Sequence, residues 1–589
     1  VTQPGYFLTR ARREVADLLV RLGVLIAPSE VRDGQTDIDG DLAVPLFRAA
    51  KDRKTGPVAL AEDLAKQVDL AGTCFASAVP LKGYLNFRFD PGRLYREVVS
   101  DFSRTAEGYG GSDAGAGKTI VIDYSSPNIA KPFSVGHLRS TIIGQALKNI
   151  LSFLGYRVIG DNHLGDWGMQ FGKLLCAFDR WGDEVELRRS PTGHLLMLYV
   201  RFHEEAKTSP ELEVAARDWF RRLETGDPEA RRRWQHFVEL SKAEFNRIYD
   251  LLNVTFDAVL GESFYSDRLD QIVKRTLAKG VAIREKPQTR ATAASDEIAP
   301  DETVVIIPLD SAGIDTPLFL QKSDGTSLYA TREIATAEYR IETWHPEKML
   351  YVVGNEQELY FRQFSAALKL LGHSVSCIHI NFGLIRLPGG RMSTRAGRVI
   401  LLEDVVREAI QRAEAVLTDR DLTDDEKKRI ARVVGIGAIK YADLSQSRIK
   451  EVVFDWDKML SLDGDSAPYL QYAYTRTRSI LRKSAPEIPD PSFAVRRSPP
   501  AVPEELALLR QIARFPGSVT AAAETYEPHR IAGRIYRLAR DFSAFYDRVP
   551  VLKAETTELR RARLYLTEMT GTVIRTGLGL LGIEVSDRM

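Results

Sequence analysis

Lys118-Thr119-Ile120-Val121-Ile122-Asp123-Tyr124 is β-branched and apolar through its centre. The chain then turns through Ser125-Ser126-Pro127-Asn128-Ile129-Ala130-Lys131-Pro132-Phe133-Ser134-Val135-Gly136-His137. An apolar run of this kind reads as a strand buried on both faces of a parallel sheet. Past the turn, Leu138, Ile142, Ile143, Ala146, Leu147, Ile150 and Leu154 recur at spacings of three and four, which predicts a helix over 136–154. Tyr156 to Gly160 supplies a second strand and closes a β-α-β unit, the opening of a doubly wound nucleotide-binding sheet. Ligands of such sheets sit at the carboxyl ends of the strands, where helix N-termini point at them. The turn before the helix is therefore a candidate phosphate site. Gly136 permits close approach of a ligand to the backbone, His137 can donate a hydrogen bond to a phosphate, and Lys131 is a flexible cation within reach. Taken alone, a histidine at a helix start serves equally well as a local cap.

Outward from this unit, the 589-residue chain is too long for one hydrophobic core. Its apolar fraction of 44% and charged fraction of 27% are those of a globular protein. No apolar run approaches the ~20 residues of a membrane helix. The first twenty residues mix charges with apolar positions, as an amphipathic helix does and a signal peptide does not. Cys74, Cys176 and Cys377 are far apart and form no C-x-x-C pair, so neither a disulfide framework nor a structural zinc site is expected, and a reducing cytoplasm fits. A net charge of +1 gives no global attraction for nucleic acid, and any RNA must be met by local basic faces.

The expected organisation is a small α+β domain over 1–112, with a helix near 6–23 and a strand over 83–89, followed by a Gly-rich linker. An α/β catalytic domain with a parallel Rossmann-type sheet follows over 118–403, interrupted by a charged helical insertion at about 181–300, whose end at Pro287–Thr303 reads as a loop. Strand signals at Thr303–Pro308, Lys348–Val353 and Ile378–Leu384 read as the sheet resumed. A helical stem over 404–462 and an all-α domain over 463–589, broken by a Pro-rich loop at 486–503, complete the chain. No coiled coil or long exposed edge is apparent, so a monomer is expected.

The string Ser-Ser-Pro-Asn-Ile-Ala-Lys at 125–131, followed by Val-Gly-His-Leu-Arg-Ser-Thr-Ile-Ile-Gly at 135–144, resembles the signature region of class I aminoacyl-tRNA synthetases, specifically the arginyl family. The usual His-x-Gly-His stands here as Ser134-Val135-Gly136-His137; Ser134 can hydrogen-bond but cannot carry a proton charge. Gly160 to Gly172 (GDNHLGDWGMQFG) is similar to the family's equivalent stretch almost residue for residue. Gly389 to Gly397 (GGRMSTRAG) resembles the second class I signature, with Arg391-Met392-Ser393-Thr394-Arg395 departing from it at both lysines. By that resemblance Lys131 substitutes for the missing second lysine. Ser134, Gly136, His137, Met392 and Ser393 then contact ATP, and Lys131, Ser134, His137 and Arg395 are the catalytic set.

A guanidinium is planar, always charged and best held by carboxylates. The residues alone leave Asp123 and Glu333 open between pocket anions and ordinary surface charges or helix caps. The resemblance implies that Asp123, Asn128, Tyr329, Glu333 and Gln357 line an arginine pocket, with glutamate where the family often has aspartate. It also implies ATP carrying Mg²⁺, tRNA(Arg) and L-arginine as substrates, no covalent enzyme intermediate, and tRNA bound before arginine is activated efficiently. Helix 527–546 carries Arg530, Arg534, Arg537 and Arg540 opposite an apolar face, a stripe that reads as a solvated face or as a track for a phosphate backbone. The family's helical anticodon domain matches here and implies RNA contacts at Tyr546 and Met589. Its N-terminal domain implies tRNA-elbow contacts at Asn86 and Phe89, for which a packed strand is an equal account. Two other readings remain from sequence: a related nucleotidyltransferase charging another amino acid, and a noncatalytic tRNA-binding relative.

Overall fold

The structure, a computed structural model, describes residues 5–34, 40–286, 303–386, 400–417, 422–484 and 502–589. The chain divides into two compact units: residues 113–411 with 442–456, and residues 1–112 with 412–441 and 457–589.

The first unit is built on four parallel strands, β1 (Thr119–Asp123), β2 (Arg157–Asp161), β3 (Lys348–Tyr351) and β4 (Ser376–His379), in the order β4-β3-β1-β2. Ile120, Val121, Ile122, Met349 and Leu350 are at most 1% exposed, as strands covered on both faces require. Helix α1 (Leu138–Phe153) joins β1 to β2. It packs so closely on the strand that a Cβ at Gly144 would lie 2.2 Å from the Tyr124 ring. Helices α2 (Tyr329–Trp344) and α3 (Glu358–Leu370) precede β3 and β4, respectively.

Within the stretch read as an insertion, helices form over Glu184–Arg189, Pro191–Glu205, Glu211–Glu224 and Pro228–Leu251. The strand expected at Thr303–Pro308 forms as Val304–Ile307, but it does not resume the parallel sheet. It is the centre of a separate antiparallel sheet, between Ile283–Glu285 and Leu318–Gln321. Val305 and Ile307 enter a core shared with Ile334 of α2, Val121 and Tyr351, while Val304 and Ile306 pack against Leu328. A four-residue apolar run specifies burial on both faces and leaves open which sheet provides it. The expected strand at Ile378–Leu384 is also divided: β4 ends at His379, and Ile385–Arg386 pairs in parallel with Val452–Val453.

The second unit holds a four-stranded antiparallel sheet, in the order Arg32–Asp33, Leu42–Pro45, Tyr84–Phe89, Phe75–Leu81. It also holds helices Ala467–Ser484, Pro503–Thr525, His529–Arg548 and Thr557–Leu580. The segments expected as separate first and last domains pack together in it. Tyr109 donates to the Ile512 carbonyl (3.1 Å), Ser103 and Tyr565 share a hydroxyl hydrogen bond (2.8 Å), and Arg510 pairs with Asp41 (2.6 Å).

Two stretches that the sequence left open between packing and RNA contact are engaged in packing and pairing here. Asn86 and Phe89 are 4% and 6% exposed: Asn86 donates to the Val79 carbonyl across the sheet, and Phe89 stacks on Phe75. Strand Tyr84–Phe89 is central in its sheet, so its side chains are claimed by packing; Arg88 is the exposed one. In the basic stripe, Arg534 is 8% exposed and donates to Gln511 and Ser518, because its helix packs there against Pro503–Thr525. Arg530 is paired with Glu527.

Candidate active site

The carboxyl edge of the parallel sheet is made by Asp123, which lies in register between Tyr351 of β3 and Asp161 of β2. The turn that follows is bent sharply. Ser125, Ser126 and Ala130 all have positive φ (70°, 46° and 64°), a backbone strain of about 1–3 kcal/mol each that needs external support. The support is visible. The Ser125 amide donates to Ser140 Oγ (2.9 Å), Ser140 Oγ donates to the Val352 carbonyl (2.7 Å), and the Ser126 amide donates to Asn162 Oδ1 (3.1 Å). Ser125 Oγ is bonded to Thr141 and Tyr249, each at 2.8 Å. The turn thus ties together β1, the first turn of α1, β3 and the stretch after β2.

Its second half pairs with the 160–172 stretch through the Ile129 amide and the Gly165 carbonyl (3.0 Å). A Cβ at Gly165 would lie 2.0 Å from Asn128 Oδ1, so glycine there is what lets the Asn128 side chain lie flat across the loop. Beyond it, Val135 donates to the Ile400 carbonyl and Leu402 to the Phe133 carbonyl. Arg395, Met392 and Ser393 of the second signature lie outside the described residues.

Ser134 caps the 3-10 turn Val135–His137 that leads into α1. Its backbone amide donates to His137 Nδ1 (3.1 Å), and its hydroxyl is 3.2 Å from the same nitrogen. Nδ1 is therefore an acceptor, and the neutral ring carries its proton on Nε2. Burial, reinforced by the Lys131 charge and opposed by the Ser134 bond, pushes the His137 pKa down to about 4. At neutral pH the residue is an uncharged Nε2–H donor at the start of a helix. Burial also lowers the Lys131 pKa.

A cavity of 490 Å³ opens at this edge, and Asp123, Asn128, Gly136, His137, Tyr329, Glu333 and Gln357 all line it. Residues from the strand β1 turn, the start of α2 and the start of α3 are thus brought together from separate stretches of sequence. Ser134 and Lys131 lie beside this set and are not part of the lining. Tyr329 begins α2 with its ring 5.2 Å from that of Tyr360, and Glu333 follows one helical turn later, 3% exposed.

Three groups that sequence reading missed change the electrostatics. The first is Arg340, fully buried two turns beyond Glu333 on α2. Its Nη2 donates to Asp123 Oδ2 (2.6 Å) and its Nε to Asp161 Oδ2 (3.0 Å). Asp123 Oδ1 takes the Ser126 hydroxyl (2.7 Å). Asp123 and Glu333 are therefore not alike: the Asp123 charge is already met from within the fold. The second is Glu262, from the end of the insertion, which lines the cavity and pairs with Arg332 at 3.0 Å. Burial raises its pKa against the Arg332 charge. The third is His163, 6% exposed, with Nδ1 3.0 Å from the Leu260 carbonyl and Nε2 3.8 Å from Glu333 Oε1. The spacing of Glu333 and Arg340 by seven residues, one helix face, was the legible signal for Arg340. Nothing local marked Glu262.

Three family models match in succession: Arginyl tRNA synthetase N terminal domain over residues 11–89, tRNA synthetases class I (R), catalytic domain over 103–456, and DALR anticodon binding domain over 470–589. The chain belongs to the class I arginyl-tRNA synthetases. Among relatives of this synthetase, the arginine–tRNA ligase of Halothermothrix orenii is 39% identical over 93% of this chain and 94% of its own. That of Clostridium botulinum (strain Okra) is 40% identical over the same shares. The arginyl-tRNA synthetase of Thermus thermophilus superposes with a TM-score of 0.81 at 27% identity, covering 99% of this chain and all (100%) of that one. The Plasmodium falciparum structure, at 21% identity and TM-score 0.78, covers 98% of this synthetase and 99% of itself, and shares its fold. The synthetase is thus an aminoacyl-tRNA ligase with a parallel-sheet catalytic domain and a helical anticodon-binding domain.

In that helical domain the exposed Tyr546 lies 4.6 Å from the Arg476 guanidinium, which also covers Tyr472 at 4.8 Å. Met589 is half-buried at the chain end. Among the described residues no group of three His, Cys, Asp or Glu side chains is placed to hold a metal ion, and no helix is long and apolar enough to cross a membrane.

Proposed function

We propose that the 490 Å³ cavity binds L-arginine with its guanidinium toward Glu333 and its α-carboxylate toward the start of α1, where MgATP is held. The supporting observation is the convergence of Asp123, Asn128, Tyr329, Glu333 and Gln357 on one cavity that also contains Gly136 and His137. Glu333 supplies the counter-charge, Tyr329 flanks the aliphatic stem, and Asn128 and Gln357 hold the amino-acid end. His137 donates Nε2–H to a phosphate, and Lys131 stands behind it as a cation, with Ser134 fixing the His137 ring. Arg395, Met392 and Ser393 are assigned to the same triphosphate by resemblance alone.

The arginine carboxylate then attacks the α-phosphorus of ATP in line, forming the mixed anhydride as pyrophosphate leaves. The 2′-hydroxyl of the terminal tRNA ribose next attacks the adenylate carbonyl, forming the ester and releasing AMP. Both steps are carried by positioning and charge stabilisation. Mg²⁺ enters with ATP and supplies charge neutralisation on the phosphates. Tyr546 and Met589 are assigned to the anticodon loop of tRNA(Arg), the enzyme acts as a monomer, and its compartment is the cytoplasm. The test is ATP–pyrophosphate exchange across all amino acids, with and without tRNA(Arg). Exchange with arginine alone is expected, and selection of another amino acid, or no exchange at all, would sink the assignment.

A further inference from the structure

His163 and Glu333 face each other in a way that neither side chain can satisfy alone. A carbonyl oxygen only accepts, so the 3.0 Å contact to Leu260 O places a proton on His163 Nδ1. In the neutral ring Nε2 is then a bare acceptor. It makes no hydrogen bond, although it is buried, and the nearest charged group is another acceptor, Glu333 Oε1 at 3.8 Å. Both residues line the cavity. Two lone pairs held at this distance out of water need a donor between them.

The remaining ionisable groups around His163 are already engaged. Asp123 and Asp161 share Arg340, Glu262 is paired with Arg332, and Asp166 accepts from the amide and hydroxyl of Ser263 (2.8 and 2.7 Å). None of these carboxylates offers a hydrogen to Nε2; the Tyr329 hydroxyl is bonded to Glu333, and Tyr265, whose ring lies 5.7 Å from that of His163, makes no hydrogen bond to it. Two donors of charge can enter the gap from the cavity: a proton on Nε2, which makes an imidazolium–carboxylate pair, or N–H groups of a ligand guanidinium, which donate to Nε2 and to Glu333 together. The two exclude each other, because protonated Nε2 presents a hydrogen to the guanidinium and cancels the Glu333 charge that attracts it.

We propose that a proton and the substrate guanidinium compete for the His163–Glu333 gap, so that each arginine bound to the protonated enzyme releases one proton to solvent. The inference rests on the arginine reading above and adds a pH sensor to the same cavity. Burial pulls the His163 pKa down, but Glu333, Asp123 and Asp161 outweigh both burial and the Arg340 charge, and the net shift is upward from 6.5. Below that pKa the free enzyme carries the proton, and the KM for arginine rises as pH falls, by up to about tenfold per pH unit for one competing proton. The guanidinium itself stays charged throughout.

The experiment is calorimetric titration of L-arginine into the full chain with tRNA(Arg), in buffers of differing ionisation enthalpy, paired with KM and kcat for arginine from about pH 5.5 to 8.5. The expected results are a release approaching one proton at the acid end, vanishing at the alkaline end, with the pH dependence falling on KM rather than kcat. His163→Gln, whose amide does not titrate, is expected to flatten the KM profile. Arginine activation with no proton release, or an unchanged KM slope in His163→Gln, would overturn the proposal. The proton count on the unaltered protein decides the matter even if the variant folds poorly. Failure of arginine-dependent exchange altogether would instead overturn the arginine assignment on which the proposal stands.

Discussion

Glu333 is 3% exposed, and among the described residues its ion-pair neighbour is His163 alone, whereas Asp123 is clamped by Arg340 and Ser126. The counter-charge for a cationic substrate therefore falls mainly on Glu333. Glu333→Gln keeps the shape and removes that charge, and a charge-assisted hydrogen bond is worth about 1.5–3 kcal/mol. The KM for arginine is expected to rise about 10- to 100-fold with the KM for ATP little changed, as steady-state pyrophosphate exchange will report. His137 carries a different expectation. With its pKa pushed down to about 4, it stays a neutral donor across the working range, so kcat should show no inflection near 6.5 from this residue. His137→Asn should lower kcat about 100-fold or more through loss of a transition-state donor, with little effect on the KM for arginine.

At the scale of elements, the site depends on how tightly α1 is held against the sheet. Arg139, just past His137, is 1% exposed and paired with Asp443 through Nε and Nη2 (2.8 and 3.1 Å), while its Nη1 donates to the carbonyls of Gly383 and Lys450. The first turn of α1 is thus fastened to the segments around β-strand partners Ile385–Arg386 and Val452–Val453. Burial raises the Asp443 pKa against the pull of Arg139, and among the described residues Asp443 is the carboxylate paired with this buried guanidinium. Asp443→Asn leaves a buried guanidinium uncompensated, and a loss of about 3–5 kcal/mol is expected in denaturant unfolding of this unit. Simultaneous replacement of both by apolar residues of similar volume should cost much less, which distinguishes desolvation from lost packing.

For the molecule as a whole, stability carries a pH signature from Lys440, which is 2% exposed and donates to the Gly582 carbonyl (2.5 Å). Burial pushes its pKa down to about 8, against the pull of Glu584. The folded pKa lies below the unfolded one near 10.5, so the folded state resists the proton that the unfolded state keeps. Stability therefore rises with pH from about 8 to 10.5 and is reduced below 8, by about 3 kcal/mol on this count. Lys440→Met removes that dependence: relative to it, the unaltered protein should gain about this much between pH 8 and 10.5 in matched urea titrations.

The amino-acid sequence by itself determined the β1–turn–α1 unit, the helical insertion and C-terminal helices, and the set of five cavity residues. Short-range periodicity and glycine placement encode the first two, and motif resemblance carried the third. Tertiary structure alone decided which sheet took Val304–Ile307, that Asn86 and Phe89 were interior, and that Arg534 faced a neighbouring helix. It also decided that Arg340 neutralises Asp123 and that Glu262 and His163 reach the cavity. These depend on contacts between residues remote in sequence, and a charge shows its partner only once the chain has brought the two together.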